Sequence, residues 1–163
     1  MKNAESQLRS HSFVKTFSSE TVDLLATNAK MVIFEPGHLI LSYQQPAEHL
    51  WLLTEGQVVL SSLLPGAQKQ TIETLNAPAV LGWSWLLEPY RWHFDATARH
   101  QVSAIEINAK VLREHMNNDA QLSSELYPKF FELVVERLQA SRLQSLDIYQ
   151  SSDHRGLHEF SHM

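Results

Sequence analysis

Cysteine is absent from the 163 residues of this chain. The protein therefore has no disulfide, no thiolate nucleophile, and no zinc or iron–sulfur cluster held by cysteine. The sequence also lacks the run of roughly 18 apolar residues that a membrane-spanning helix needs, and its start has no apolar core of a signal peptide. These absences predict a cytoplasmic protein that does not enter a membrane.

Basic residues are outnumbered by acidic ones. The chain has 13 Lys and Arg against 18 Asp and Glu, which gives a net charge of -5. Because this sign opposes long-range attraction to phosphate backbones, we expect no direct binding to DNA.

The common catalytic motifs are absent as well. The sequence contains no Walker-type loop, no glycine fingerprint for a dinucleotide and no nucleophile elbow. The segment His158–His162 reads H-E-x-x-H, a zinc-protease pattern, and His154 extends its four-residue spacing. It ends one residue before the terminus, and Gly156 weakens a helix there, so we interpret it as a chance match. We predict a protein that is not an enzyme and has no metal site.

The residues that are present, 44% of them apolar, are enough for one domain, which we place at residues 1–150. Ser12 to Asn28 predicts a helical entry, with Ser18 as its N-cap. From Lys30 to Ile107, short runs rich in Val, Ile, Leu and Trp alternate with Pro and Gly turns. This pattern predicts an antiparallel sandwich or barrel over residues 30–107, with Val32, Phe34, Ile40, Trp51, Leu53, Val58 and Leu60 inside.

Helices are expected over residues 108–149. Asn108 is suited to cap a short helix ending at Met116, and Asp119 a second one ending at Tyr127. Pro128 then predicts a kink or a restart, followed by a long helix as far as Tyr149. The apolar positions between Phe130 and Leu146 outnumber those of one narrow stripe, so a second contact surface is predicted. Residues 151–163 are polar, and we expect a loose tail.

Three glycine turns carry a resemblance to a known family. Phe34–Ile40 resembles the first hairpin, Leu52–Val58 the second glycine turn, and Val80–Gly82 the entry to the phosphate-binding cassette, of the cyclic nucleotide-binding domains of bacterial Crp/Fnr-type regulators. The resemblance extends from about His11 to Tyr149. It implies a mainly β fold with flanking helices: an antiparallel, jelly-roll-like β-roll of the double-stranded β-helix kind, followed by a long C-terminal helix.

The cassette departs from the family pattern. There, a glutamate after the glycine accepts the ribose hydroxyl, and an arginine before Ala-Thr binds the phosphate. Here Trp83 follows Gly82, and an indole is only a donor. The position of the arginine falls on Phe94 or Trp92, depending on the register, and Arg91 reaches the site only if a local bulge turns it inward. Cyclic AMP and cyclic GMP are therefore expected to bind poorly.

The cassette is nevertheless the predicted functional surface, because it concentrates indoles beside polar residues. One interpretation is that the rings fill the interior and the vacated pocket; another is a solvated strand face. The functional interpretation is a site for a ligand, either a nucleotide or a dinucleotide, or for a protein partner. Its candidate residues are Gly82, Trp83, Ser84, Trp85, Arg91, Trp92, His93 and Asp95.

The resemblance also bears on the partners of the protein. Crp/Fnr regulators continue into a winged helix-turn-helix, whereas about fourteen residues follow Tyr149 here, so we expect output through another polypeptide. The cassette resembles that of Crp-like accessory subunits of soluble nickel–iron hydrogenases, which implies a nicotinamide-linked redox complex as partner. We predict a non-catalytic regulatory or accessory subunit, with weak homodimerisation through Phe130–Leu146 as a further contact. The alternative is a genuine sensor of a cyclic nucleotide or a dinucleotide.

Overall fold

The computed structural model describes residues 3–62, 65–66 and 68–156, with side chains as far as residue 147. The chain contains four α-helices and eight strands in the order α1, α2, β1 to β8, α3 and α4. The helices are α1 Ala4–Ser10, α2 Ser19–Thr27, α3 Ala109–Asn118 and α4 Ala120–Gly156. The strands are β1 Ala29–Phe34, β2 Leu39–Leu41, β3 His49–Glu55, β4 Gln57–Ser62, β5 Gln70–Asn76, β6 Ala79–Leu81, β7 Asp95–Ala98 and β8 Val102–Asn108.

The strands form two four-stranded sheets with the orders β1-β8-β3-β6 and β2-β7-β4-β5. Every pairing within them is antiparallel. The predicted antiparallel β-roll is therefore confirmed. The two sheets remain separate and do not close into a barrel.

Only some of the residues predicted to lie inside the roll are buried. Trp51, Leu53, Val58 and Leu60 are buried as expected. Three further predicted core residues, Val32, Phe34 and Ile40, are only half-buried. The reason is topological: these three lie on β1 or in β2, which are edge strands with a neighbour on one side only.

One glycine turn shows why the sequence needs glycine at that position. Gly56 joins β3 to β4 with φ +93°, in the left-handed region that other residues adopt with strain. An added Cβ would lie 2.3 Å from the carbonyl oxygen of Gln101. The hairpin thus depends on this glycine twice, for its dihedral angle and for its space.

Two predicted helix starts are confirmed by their caps. The side chain of Ser18 accepts a hydrogen bond from the amide of Thr21 at 3.3 Å, at the start of α2. Asn108 accepts one from the amide of Val111 at 3.1 Å, at the start of α3. Each side chain satisfies a backbone donor that would otherwise lack a partner in the helix.

Of the kink or restart predicted at Pro128, the restart is wrong, because the helix is continuous there. Asp119 accepts a hydrogen bond from the amide of Leu122 at 3.1 Å, as a cap should. The helix that follows continues through Pro128, and α4 has 37 residues. A proline removes one backbone donor, and the hydrogen bonds on either side keep so long a helix continuous. Residues 151–156, predicted as loose tail, belong to this helix.

Contacts within the chain divide it into two units, one ending at Glu125 and the other beginning at Leu126. The eight strands and α1 to α3 belong to the first unit. A single domain over residues 1–150 remains a prediction. Within the described ranges, no helix is both long and apolar enough to cross a membrane.

A buried histidine links the N-terminal helical segment to the sheet. His11 is 6% exposed, and its Nε2 bonds to the carbonyl oxygen of Leu53 at 3.0 Å. Its Nδ1 accepts a hydrogen bond from the amide of Phe13 at 3.2 Å. An imidazole that accepts at Nδ1 and donates at Nε2 is neutral. Burial lowers the pKa of His11, although the bond to Leu53 opposes this effect.

This arrangement predicts a loss of stability in mild acid. Below a pH of about 6.5 the unfolded chain protonates His11 while the folded chain does not, so the free energy of unfolding falls until the lowered folded pKa is reached. His11→Gln should lose about 1 to 3 kcal/mol near neutral pH, because it leaves a buried group unpaired. It should also show a shallower dependence on pH in urea titrations.

The matched control is His100→Gln, which replaces an exposed imidazole. It should keep the wild-type stability and the wild-type dependence on pH. An unchanged pH profile in His11→Gln would contradict the assigned role of His11.

Candidate functional site

The cassette, residues 82–95, connects β6 to the start of β7 and contains a 3-10 turn at Ser84–Leu86. It begins at Gly82, whose φ is +96°. A Cβ at this position would lie 2.9 Å from Cη2 and 3.1 Å from Cζ3 of Trp92. The indole of Trp92 therefore rests directly on Gly82, and only glycine leaves room for it.

Two of the three cassette indoles belong to the interior. Trp85 is 0% exposed and Trp92 is 3% exposed. Nε1 of Trp85 donates to the carbonyl oxygen of Gly82 at 3.3 Å, and the ring of Trp92 lies 5.9 Å from that of Trp51, centroid to centroid. The burial of Trp85 and Trp92 is what the filling interpretation expects.

Trp83 and Phe94 form a second, half-buried aromatic pair. Their rings meet edge to face, with centroids 6.3 Å apart and an interplanar angle of 74°. Trp83 stands at the position where the family pattern has its glutamate. An aromatic pair thus includes the residue at which the resemblance implies a carboxylate that accepts a hydroxyl.

Exposure alternates in the middle of the cassette. Arg91 and His93 are exposed, whereas Trp92 between them is buried. The guanidinium of Arg91 does not turn inward: Nη1 donates to the carbonyl oxygen of Gln44 at 2.8 Å on the surface.

Asp95 is held by two donors. Its Oδ1 accepts from the amide of Tyr43 at 2.7 Å, and its Oδ2 pairs with Nζ of Lys69 at 3.0 Å. Burial acts to raise the pKa of Asp95, but these donors outweigh it and hold the pKa below its ordinary value. This carboxylate fastens neighbouring segments at the end of the cassette.

A loop that the sequence did not point to completes the cassette. The backbone of Gln44 and Gln45 exchanges hydrogen bonds with Trp92 at 2.9 and 3.0 Å, and the amide of Ala47 donates to Tyr90 at 2.7 Å. Gln44 and Tyr90 have φ values of 67° and 55°, the positive values found at non-glycine residues in the described part of the chain. Backbone strain of this kind clusters at functional sites, and here both cases lie in the paired segments.

Arg113, on α3, is a further contact that the sequence did not reveal. Its Nη1 donates to the carbonyl oxygen of Trp85 at 2.7 Å, and its Cζ lies 3.8 Å from the centroid of Tyr90. One side chain thus binds the cassette by a charge-assisted hydrogen bond and by a cation–π contact. No local pattern signals this role, because the partners are 28 residues apart in the hydrogen bond.

The H-E-x-x-H pattern near the C-terminus gives no information about the cassette. In the described ranges, no group of three His, Asp or Glu side chains is arranged to hold a metal ion. His158–His162 lies outside the described residues, and so does the side chain of His154.

The comparison with known families decides the identity of the fold. Residues 31–119 match the cyclic nucleotide-binding domain family. The chain belongs to this family. The matched range contains all of the sheets except the first two residues of β1, together with the cassette and α3.

Solved structures agree with this assignment. A Geobacter metallireducens protein, assigned as a cyclic nucleotide-binding protein, is 28% identical with a TM-score of 0.73, over 82% of this chain and 97% of that one. A cyclic nucleotide-binding domain from Methylobacillus flagellatus is 18% identical with a TM-score of 0.77, over 90% and 86%. The Thermus thermophilus catabolite activator protein is 20% identical with a TM-score of 0.62, over 85% and 62%. None of the curated proteins matches the chain significantly.

The buried hydroxyl of Ser84 allows a test of the packing inside the cassette. This residue is 3% exposed, and its Oγ has no hydrogen-bond partner among the described residues. A buried hydroxyl without a partner destabilises the fold, so Ser84→Ala should raise the free energy of unfolding by about 1 kcal/mol in urea titrations. Ser61→Ala, at another buried serine, serves as the control. A loss of stability in Ser84→Ala would show that the hydroxyl is bonded in the native state.

Proposed function

We propose that this protein is a non-catalytic regulatory or accessory subunit that keeps the cyclic nucleotide-binding fold with a remodelled pocket and acts through a protein partner. One observation carries the proposal: the ring of Trp92 lies on Gly82, so the protein's own indole covers the glycine that opens the cassette. Charged groups of the family site are replaced at the same time. The cassette keeps its place in the fold and has a different chemistry.

The side chains present would recognise a cyclic nucleotide poorly. Trp83 offers only an N–H donor where the ribose hydroxyl needs an acceptor. The guanidinium of Arg91 is exposed and bonded to Gln44. A ribose hydroxyl and a phosphate would each be buried without their partners, and each unpaired group costs about 1 to 3 kcal/mol.

Calorimetry measures directly whether the protein binds cyclic nucleotides. Cyclic AMP and cyclic GMP titrated into the full chain should give no binding with a dissociation constant in the low micromolar range. Low-micromolar binding of either nucleotide would overturn the proposal of a remodelled pocket and favour the alternative function, that of a nucleotide sensor.

The exposed part of the cassette is a surface that suits a partner. Leu87 is 71% exposed, and Arg91 and His93 are exposed near it in sequence. Arginine is among the residues enriched at the centre of protein interfaces. The backbone under it is rigid, because Arg113 and the Gln44 loop hold the cassette from two directions. Such a surface loses little entropy on binding.

Arg91→Ala separates the two functional candidates. If the surface binds a protein, this variant should lose the partner that co-purifies with wild type from the native host, while NADH and NADPH leave tryptophan fluorescence unchanged. If the surface binds a dinucleotide, these nucleotides should change the fluorescence, and Arg91→Ala should weaken the effect. Arg99→Ala, at another exposed arginine, is the control. An unchanged partner and unchanged fluorescence would leave the cassette as interior filling.

For the identity of the partner, we propose a soluble nicotinamide-linked hydrogenase complex. The support is the resemblance of the Gly82–Trp85 segment to that of hydrogenase accessory subunits. Mass spectrometry of the material that co-purifies with the wild-type chain tests it, and the proposal fails if hydrogenase subunits are absent from that material.

The unit that begins at Leu126 carries a second candidate contact. Tyr127, Phe131, Val134 and Leu138 are 51%, 71%, 39% and 51% exposed. Their spacing of four, three and four residues is the heptad spacing that helices use to pair. Arg142 and Ser145 interrupt the apolar pattern beyond Leu138, so we propose a weak association with a second copy or a partner helix.

Leu138→Glu should abolish any self-association of the chain, because a carboxylate in the stripe would be buried in the contact. Sedimentation over a range of concentrations measures this. Leu143→Glu is the matched control, since Leu143 is 64% exposed but lies off the stripe. If wild type remains monomeric at high concentration and captures no partner, the stripe has no docking role.

A further inference from the structure

Glu106 is a carboxylate inside an aromatic environment. It lies on β8 opposite Trp51 of β3, and its side chain is 14% exposed. Its Oε2 accepts a hydrogen bond from Nε1 of Trp51 at 2.9 Å. A mostly buried carboxylate is stable when charges or donors compensate it. The other oxygen, Oε1, therefore needs a compensating partner as well.

Oε1 of Glu106 has only loosely held partners. Nζ of Lys30 lies 3.2 Å away, but the side chain of Lys30 is 70% exposed. Nε2 of His49 lies at 3.9 Å, beyond hydrogen-bond distance. A pair with so exposed a lysine contributes little free energy. Another cation can therefore replace Lys30 at this oxygen at low cost.

Two cavities adjoin Glu106, and both are also lined by His49. One has a volume of about 420 Å³, and its lining includes the rings of Phe34, His38, His49, Trp51 and Trp92. The other, of about 290 Å³, is lined mainly by polar residues, among them Asn28, Lys30 and Asn108. Glu106 is the one Asp, Glu, Lys or Arg among the described residues lining the aromatic cavity. The chemistry of that cavity is thus aromatic with a single negative charge.

Aromatic rings around one carboxylate favour an organic cation. The faces of such rings attract ammonium groups, and the carboxylate supplies a charge-assisted hydrogen bond. An anion would meet the uncompensated carboxylate, and a neutral ligand would leave the charge of Glu106 unused. The volume of the cavity is in the range of small-molecule sites.

We propose that this cavity binds a small arylalkylammonium ion, with its ring among the aromatic side chains and its ammonium group on Oε1 of Glu106 in place of Lys30. The site shares only Trp92 with the cassette, so it does not depend on the proposed function. In this arrangement Lys30 competes with the ligand for the same oxygen.

Tryptophan fluorescence of the full chain tests the proposal, because Trp51 is bonded to Glu106. The probe is 2-phenylethylammonium, and its neutral counterpart is 2-phenylethanol. We expect a saturable change with the ammonium and a response at least about tenfold weaker with the alcohol. An equal response to the two compounds, or no response to the ammonium, would overturn the proposal.

Two variants test whether Oε1 of Glu106 binds the ammonium group. Glu106→Gln keeps an acceptor for Trp51 but loses the charge, and it should weaken binding of the ammonium at least about tenfold. Lys30→Ala removes the internal competitor and should tighten binding, whereas weaker binding would contradict the assignment. If Glu106→Gln fails to fold, judged by its thermal melt, Lys30→Ala and the alcohol comparison decide the matter. Arg99→Ala, at an exposed arginine that lines neither cavity, should bind as wild type.

Discussion

The close contact between Gly82 and the indole of Trp92 is the constraint on which the cassette depends. An added Cβ at Gly82 would lie 2.9 Å from the ring, so the backbone and the indole specify each other. With its ring in that position, Trp92 is buried and packs near Trp51, and its backbone pairs with the Gln44 loop. Arg91 and His93, on either side of Trp92, face solvent as a result. A pocket-filling side chain thus also determines which cassette residues are exposed.

Polar groups near this core are satisfied from distant parts of the chain. Arg113 of α3 binds the carbonyl of Trp85, Lys69 and the amide of Tyr43 bind Asp95, and Trp51 binds Glu106. Each of these contacts supplies a partner to a group whose burial would otherwise cost free energy. They also explain how the cassette and the Gln44 loop can contain strained residues, since Tyr90 and Gln44 lie in segments fixed from several sides.

The local features of the fold could be predicted from the sequence to a large extent. The caps Ser18 and Asn108 follow from interactions between residues close in sequence, and the turn at Gly56 follows from its left-handed backbone. The strand pairings are not local, since β1, for example, pairs with β8. The predicted restart at Pro128 was wrong, because a proline removes one hydrogen bond and the helix continues despite that loss. Half-burial of Val32 and Phe34 could not be predicted, since it depends on which strands become the edges of a sheet.

By itself, the sequence predicted the antiparallel strands and the helix caps from residue type and short spacing, and its resemblance to the family implied the β-roll and the departure of the cassette at Trp83. Only the tertiary structure decided that Trp85 and Trp92 fill the interior while Arg91 faces outward, that Arg113 holds the cassette, and that Glu106 lies among aromatic rings. These features join side chains that are far apart in sequence. Their positions follow from how the strands and helices pack, and no spacing along the chain encodes that packing locally.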